Sequence, residues 1–136
     1  SRWVTIALQE QDKYYIPASI KLAQAALESS WGTSFGASEH NAFYGIHKHS
    51  WKGPIWKGDP KNNIKRSLRA YNTPWESFRD HSLFISTRKR YRDLFSTNNY
   101  VKWAHGLKKA GYAEDPDYGH KLVNIIEDYE LYNLDE

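Results

Sequence analysis

The chain has 136 residues, 40% of them apolar, with a formal net charge of +3 and no cysteine. That size and composition fit one domain around a single core and exclude disulfides and thiolate chemistry. No apolar run approaches the length of a membrane-spanning helix, and the N-terminus lacks the basic-then-apolar order of a signal peptide.

The small positive charge favours an anionic partner such as nucleic acid, teichoic acid or a membrane surface, but only weakly. Six tryptophans and ten tyrosines exceed what one core of this size needs. Flat rings suit flat ligands, sugar faces or bases, although any single ring is more simply a core residue. The chain begins at Ser1 and contains no methionine, so we expect one monomeric domain over residues 1–136, excised from a longer exported protein.

Taken in order, residues 3–13 read as a helix with Trp3, Ile6 and Ala7 on one side. Pro17 suits the first turn of a second helix, along which Ile20, Gln24, Leu27 and Trp31 recur at helical spacing until Gly32. From Gly32 to Tyr71 the sequence is loop-rich, and Asp59-Pro60-Lys61-Asn62-Asn63 reads as the turn of a small β-hairpin. Thr73-Pro74-Trp75-Glu76 places a capping hydroxyl, a proline and a glutamate where a helix start needs them, predicting a helix over 74–86 with Trp75, Phe78, Ser82 and Ile85 inward. The basic stretch Arg88 to Arg92 continues as a helical segment. Asn98 or Asn99 caps another helix with Val101, Ala104 and Leu107 inward, closed by Gly111. Asp115-Pro116 opens the last, with Leu122, Ile125, Ile126 and Tyr129 on one face. The predicted fold class is mainly α (α+β).

Glu28 lies near the end of the second helix among Leu22, Ala23, Ala25, Ala26 and Leu27, with Trp31 and Gly32 just beyond. A carboxyl group partly desolvated in such surroundings has a raised pKa, as a general acid at a glycosidic oxygen requires. The plainer reading of the same pattern is a solvent-facing helix glutamate.

The segment from Ile16-Pro17-Ala18-Ser19 through Leu22 to Ser34, with its Ala26-Leu27-Glu28-Ser29-Ser30-Trp31-Gly32 centre, resembles the signature of glycoside hydrolase family seventy-three, the bacterial peptidoglycan N-acetylglucosaminidases. Asn41-Ala42-Phe43-Tyr44-Gly45-Ile46-His47 is similar to that family's Asn-Asn-Phe-Phe-Gly-Ile-Lys segment, Phe78-Arg79-Asp80-His81 to its Ser-Phe-Arg-Asp-His helix, and Gly111-Tyr112-Ala113-Glu114-Asp115-Pro116 to its Gly-Tyr-Ala-Thr-Asp-Pro motif. The four motifs stand in the family's order and span most of the chain. The resemblance implies a lysozyme-like fold, a helical lobe and a small β-hairpin lobe flanking a cleft. It also implies a catalytic Glu28, a Tyr112 that reaches the cleft, and a sugar site shaped by Asn41, Phe43 and Tyr44, to which we add Trp31. Read on their own, Gly45 permits a close backbone approach, the neighbouring rings offer stacking faces, and Gly111 and Asp115 serve as helix terminator and N-cap.

A glycosidase normally needs a second carboxylate, as base or nucleophile, and here the sequence departs from the family. Members often carry a glutamate in the hairpin lobe, whereas residues 50–71 hold a single acid, Asp59, flanked by Lys57 and Lys61 and equally readable as a turn residue. Glu39 and the 2-acetamido group of the substrate are the other candidates.

No metal or cofactor is expected. His47 and His49 lack a third ligand, Glu114, Asp115 and Asp117 lack a calcium-loop spacing, and the Arg88–Arg92 run reads as a solvated helix face. The expected function is an exported, periplasmic or cell-wall endo-β-N-acetylglucosaminidase whose partner is the peptidoglycan glycan strand. The alternatives are a glycan-binding module without catalysis, a muramidase or lytic transglycosylase cutting the other linkage, and, ranked last, a nucleic-acid binder.

Overall fold

The computed structural model of the chain describes residues 2–57 and 67–136. The chain divides into two compact units, residues 1–24 with 82–136 and residues 25–81. Among the described residues no helix is long and apolar enough to cross a membrane.

The larger unit is helical. It contains α1 (Arg2–Tyr14), the first part of α2 (Ala18–Ser29), the last part of α4 (Pro74–Thr87), a 3-10 helix (Lys89–Ser96), α5 (Tyr100–Lys109), α6 (Tyr118–Asp128) and a final 3-10 helix (Leu131–Asp135). Ile16, Ile20, Ile85, Tyr91, Trp103, Leu107, Leu122 and Ile126 are fully buried and form its core, each contributing about 1.5–3 kcal/mol of transfer free energy as an upper estimate. Two buried polar side chains are satisfied within it. Lys21 Nζ donates to Ser82 Oγ at 2.8 Å, and Gln24 Nε2 donates to the Tyr118 hydroxyl at 2.9 Å. Asn99 caps α5, its Oδ1 accepting from the Val101 and Lys102 amides at 2.9 and 3.1 Å. Gly111 then ends that helix in the left-handed conformation, at φ +86°.

The smaller unit holds the rest of α2, a short α3 (Phe35–His40), strands β1 (Ile55–Trp56) and β2 (Leu68–Arg69), and the first part of α4. The strands pair antiparallel, with Ile55 opposite Arg69 and Trp56 opposite Leu68, and His47 adds an isolated bridge to Leu68. A buried polar network fixes this unit. Arg69 Nη1 donates to both Asp80 oxygens at 3.1 and 3.0 Å, and the Tyr71 hydroxyl donates to Asp80 Oδ2 at 2.6 Å. Burial first, and the hydrogen bond to Asp80 second, hold the Tyr71 phenol protonated far above its ordinary range.

Several expectations need correcting. α2 stops at Ser29, and Ser30 and Trp31 have left-handed backbones, so Trp31 is not a helical residue and its ring is 57% exposed. The helix α3 was not anticipated, although Ser34 is a recognisable cap whose hydroxyl accepts from the Ala37 amide at 3.2 Å. Trp75 and Tyr129, both placed on buried faces by periodicity, are exposed. Trp75 sits in the first turn of α4, and Tyr129 lies one residue past the end of α6. Asp115 does not cap α6 directly. Its carboxylate accepts from the Asp117 amide at 2.8 Å and pairs with Lys121, which holds its pKa below the usual carboxylate range. The predicted turn Asp59–Asn63 lies outside the described residues.

Arg69 and Asp80 side chains are only 8% and 11% exposed, so removing one partner strands the other's charge. Arg69→Met should lower the unfolding free energy by about 3–5 kcal/mol, read by urea denaturation. A loss below about 1 kcal/mol, the size expected of a surface pair, would show that this ion pair does not tie the unit together.

Candidate active site

Glu28 is the penultimate residue of α2, and its side chain is exposed. This departs from the desolvated carboxyl expected from the apolar helix: Ala23, Ala25 and Ala26 are buried, but Glu28, one residue from the end of α2, is not. Immediately beyond it the chain turns through three consecutive left-handed residues, Ser30 (φ +51°), Trp31 (φ +58°) and Gly32 (φ +83°). For the two non-glycine residues that conformation costs about 1–2 kcal/mol each. The surrounding hydrogen bonds offset it. The Trp31 amide donates to Ala26 O at 2.8 Å, the Ser34 amide to Ser29 O at 3.0 Å and the Gly32 amide to Ser29 Oγ at 2.9 Å, while Ser29 Oγ donates back to Ala25 O. Ser29, itself buried, thus pins the helix end that carries Glu28 and lifts the Trp31 ring into solvent beside it.

The second motif meets the first at this point. Gly45 has φ +61° and lies so close under Glu28 that a Cβ built on it would be 3.8 Å from Glu28 Oε2. At that φ a side chain would strain the backbone, although its Cβ would meet the carboxylate only at ordinary van der Waals distance.

What holds Gly45 in place is α4. The Phe43 amide donates to Ser77 Oγ at 3.0 Å, the Tyr44 ring stacks on His81 at 3.8 Å and meets Phe78 edge-on at 5.3 Å, and the Phe43 ring contacts Phe78 at 5.8 Å. Ser77, Phe78, Asp80 and His81 share one face of α4 by helical spacing and are all buried. The Phe-Arg-Asp-His motif is therefore the anchor of the Asn41–His47 segment, a role the sequence did not disclose. Its signal was present in the spacing of those four residues.

The remaining predicted site residues fall out unevenly. Phe43 and Tyr44 are 7% and 3% exposed, so their rings are packed inward on α4 and do not present open stacking faces. Asn41 is the left-handed C-cap of α3, and its Nδ2 donates to Tyr71 O at 3.0 Å. Glu39 is exposed on α3, and Asp59 lies outside the described residues. Tyr112 belongs to the larger unit. There it is half-buried against Tyr118, Tyr91 and Phe84, with ring centroids 5.8, 6.2 and 6.3 Å away, and its amide donates to Leu107 O at 3.0 Å as part of the α5 C-terminus. His47 and His49 have ring centroids 6.2 Å apart, and among the described residues no three His, Cys, Asp or Glu side chains converge on a point.

Comparison with known proteins places this arrangement. Residues 4–131 match the glucosaminidase family model, described as mannosyl-glycoprotein endo-beta-N-acetylglucosaminidase. The chain is 38% identical over 138 residues to the exo-glucosaminidase LytG of Bacillus subtilis, covering 92% of this chain and 48% of LytG. It is 31% identical over 124 residues to the peptidoglycan hydrolase FlgJ of Escherichia coli K12, covering 82% of this chain and 40% of FlgJ. The chain thus spans less than half the length of these relatives. Among solved structures, it is similar to the glycoside hydrolase domain of Salmonella typhimurium FlgJ, with a TM-score of 0.78 at 27% identity over 97% of this chain and 86% of that one. The catalytic domain of the Listeria monocytogenes autolysin Auto gives the same TM-score of 0.78, at 27% identity over 97% of this chain and 82% of that one. With a lysozyme-like fold and its two N-terminal motifs meeting at Glu28 and Gly45, the chain belongs to the glucosaminidase family, glycoside hydrolase family seventy-three, and is a glycoside hydrolase domain.

Proposed function

We propose that this domain hydrolyses peptidoglycan glycan strands as an endo-acting β-N-acetylglucosaminidase, with Glu28 as the general acid, in an exported protein that works where the wall is. The observation that carries the reading is that Gly45 comes near enough to Glu28 for a Cβ built on it to lie 3.8 Å from the carboxylate, since this brings two motifs distant in sequence together around one ionisable group. The peptidoglycan hydrolases among its relatives support the substrate. In the free domain Glu28 is exposed. A sugar chain lying across it displaces water, disfavours the carboxylate and leaves a protonated acid to give its proton to the glycosidic oxygen. Trp31 offers an exposed ring face beside it, whereas Phe43 and Tyr44 act by anchoring the segment under it.

A second reading concerns mode of attack, because the Bacillus subtilis relative is named an exo-glucosaminidase. Mass spectrometry of fragments released from purified walls separates internal cuts from trimming at chain ends. It also separates an N-acetylglucosamine reducing end from the products of a muramidase or lytic transglycosylase. The same measurement tests Glu28. Glu28→Gln keeps the shape and removes the transferable proton, so turnover should fall by roughly 10²–10⁴-fold with wall binding retained. Digestion near the wild-type rate would remove Glu28 from the role.

Tyr112, carried by the family resemblance, supplies a hydroxyl that orients water or substrate. Tyr112→Phe should reduce kcat by roughly three- to tenfold, the worth of one hydrogen bond, while the melting temperature stays near that of the wild type. A fall of several degrees with full turnover would make Tyr112 a packing residue.

The second carboxylate is narrowed by what the other acids are doing. Among the described residues the smaller unit holds Glu28, Glu39, Glu76 and Asp80. Asp80 is consumed by Arg69 and Tyr71. Of the candidates the sequence offers, Glu39 and Asp59, Asp59 is favoured as the single acid of residues 50–71, the stretch expected to form the hairpin lobe. Asp59→Asn should then cost roughly 10²-fold or more in kcat, with Glu39→Gln close to wild type. Should the double variant keep most of the activity, the 2-acetamido group of the substrate does the work, and a substrate lacking the acetyl group will resist cleavage.

A further inference from the structure

The segment from His40 to Gly58 contains Lys48, Lys52 and Lys57, three histidines and no acid, the flanking acids being Glu39 and Asp59. Its middle forms a surface pocket of about 420 Å³ lined by Lys48, Ser50, Trp51, Lys52, Gly53 and Ile55. The floor of this pocket is held rigidly. Trp51 Nε1 donates to Pro54 O at 2.8 Å, the Trp51 amide donates to Lys48 O at 2.8 Å, and the Lys48 amide donates to Ser67 O at 2.9 Å. The Arg69 guanidinium lies 5.2 Å from the Trp51 ring centroid and the Tyr71 ring lies 5.6 Å away, so the indole rests on the same network that holds Asp80. Gly53 backs directly onto the indole, where a built Cβ would lie 2.5 Å from Cζ2, so no larger residue fits without shifting the ring. Arg69 is committed to Asp80, but Lys48 and Lys52 are exposed, and among the described residues neither ammonium meets a carboxylate.

A pocket walled by a fixed indole and flanked by two uncommitted cations suits a sugar unit bearing a negative charge, with the anion at the ammonium groups. The location bears on the reaction. Lys48 is three residues from Gly45, so their Cα atoms are at most about 11 Å apart, and Gly45 comes near the Glu28 carboxylate.

We propose that the Lys48–Trp51–Lys52 pocket binds an anionic substituent of the glycan strand, a carboxylate or a phosphodiester, close to the bond being cut, so that the domain favours charged wall glycan over neutral N-acetylglucosamine polymer. This rests on the hydrolase reading and is tested so that the two fail separately. Binding is measured by cosedimentation in the Glu28→Gln protein, where no turnover is needed, with and without Lys48→Gln and Lys52→Gln together. The substrates are intact walls, walls stripped of stem peptides, walls stripped of phosphodiester polymer, walls stripped of both, and chitin. Loss of both lysines should raise the dissociation constant for intact walls by roughly three- to tenfold at low salt, with a smaller change on chitin. That difference should vanish when the stem peptides are removed if the anion is their carboxylate, or when the phosphodiester polymer is removed if it is a phosphate. Equal weakening on walls and chitin, no weakening on any wall, or an effect that persists after both groups are stripped would overturn the proposal. So would tighter, salt-dependent binding to single-stranded DNA than to walls. Digestion of walls by the Glu28→Gln protein during the assay would count against the catalytic assignment alone.

Discussion

The smaller unit is organised around one buried carboxylate. A charged Asp80 in a nearly dry environment is tolerable only if both oxygens find partners, and those partners are Arg69 from β2 and Tyr71 just beyond it. Satisfying Asp80 fixes where β2 lies against α4, and β2 in turn dictates the neighbouring chain. Arg69 donates from its amide to Ile46 O and from Nε to His47 O, the Tyr71 amide donates to His40 O, and Asn41 donates to Tyr71 O. The segment next to Glu28 is therefore registered at both ends by this ion pair and the hydrogen bonds around it. A site built this way holds its geometry through the packing and hydrogen bonds of its supporting residues.

The same logic explains why the acid is carried at the end of a helix with a strained exit. Two non-glycine residues in left-handed conformations directly after Glu28 would relax in an isolated peptide. They persist because Ser29 accepts and donates on both sides of the turn and because the facing segment is anchored independently by Ser77 and His81. Such local cost is kept where the surrounding structure over-determines it. Here its effect is to leave the Trp31 ring exposed where the chain departs from α2.

Much of the helical framework was legible because its signals are local. The Thr73 cap, the Asn99 cap and the Gly111 terminator each act within one turn, and each is found where the sequence placed it. The failures come from longer-range causes. Periodicity put Trp75, Val101 and Tyr129 on buried faces, yet all three are exposed and sit in the first turn of a helix or just past its end, where the chain's entry to or departure from the helix decides which way the side chain points. The apolar neighbours of Glu28 suggested desolvation. In the fold the alanines among them are buried, but Glu28 stands one residue from the end of α2 and its carboxylate is exposed. Phe43 and Tyr44 looked like sugar platforms because aromatic residues beside a motif glycine suit that role. Their inward packing is a tertiary contact with Phe78 and His81 that no local pattern encodes.

Bulk charge misled in a different way. A net charge of +3 gives little reason to expect a strong anion preference, but the average conceals a separation along the chain. Residues 127–136 hold Glu127, Asp128, Glu130, Asp135 and Glu136 with no lysine or arginine, whereas residues 40–58 hold three lysines and no acid. Field effects at a binding site depend on charges within about one Debye length, about 8–10 Å at physiological salt, so the local balance of the loop, and not the chain's average, bears on what the pocket attracts. One part of the composition-level bias toward anionic partners thus lies in this loop, whose Trp51 ring packs against Arg69 and so against the network around Asp80.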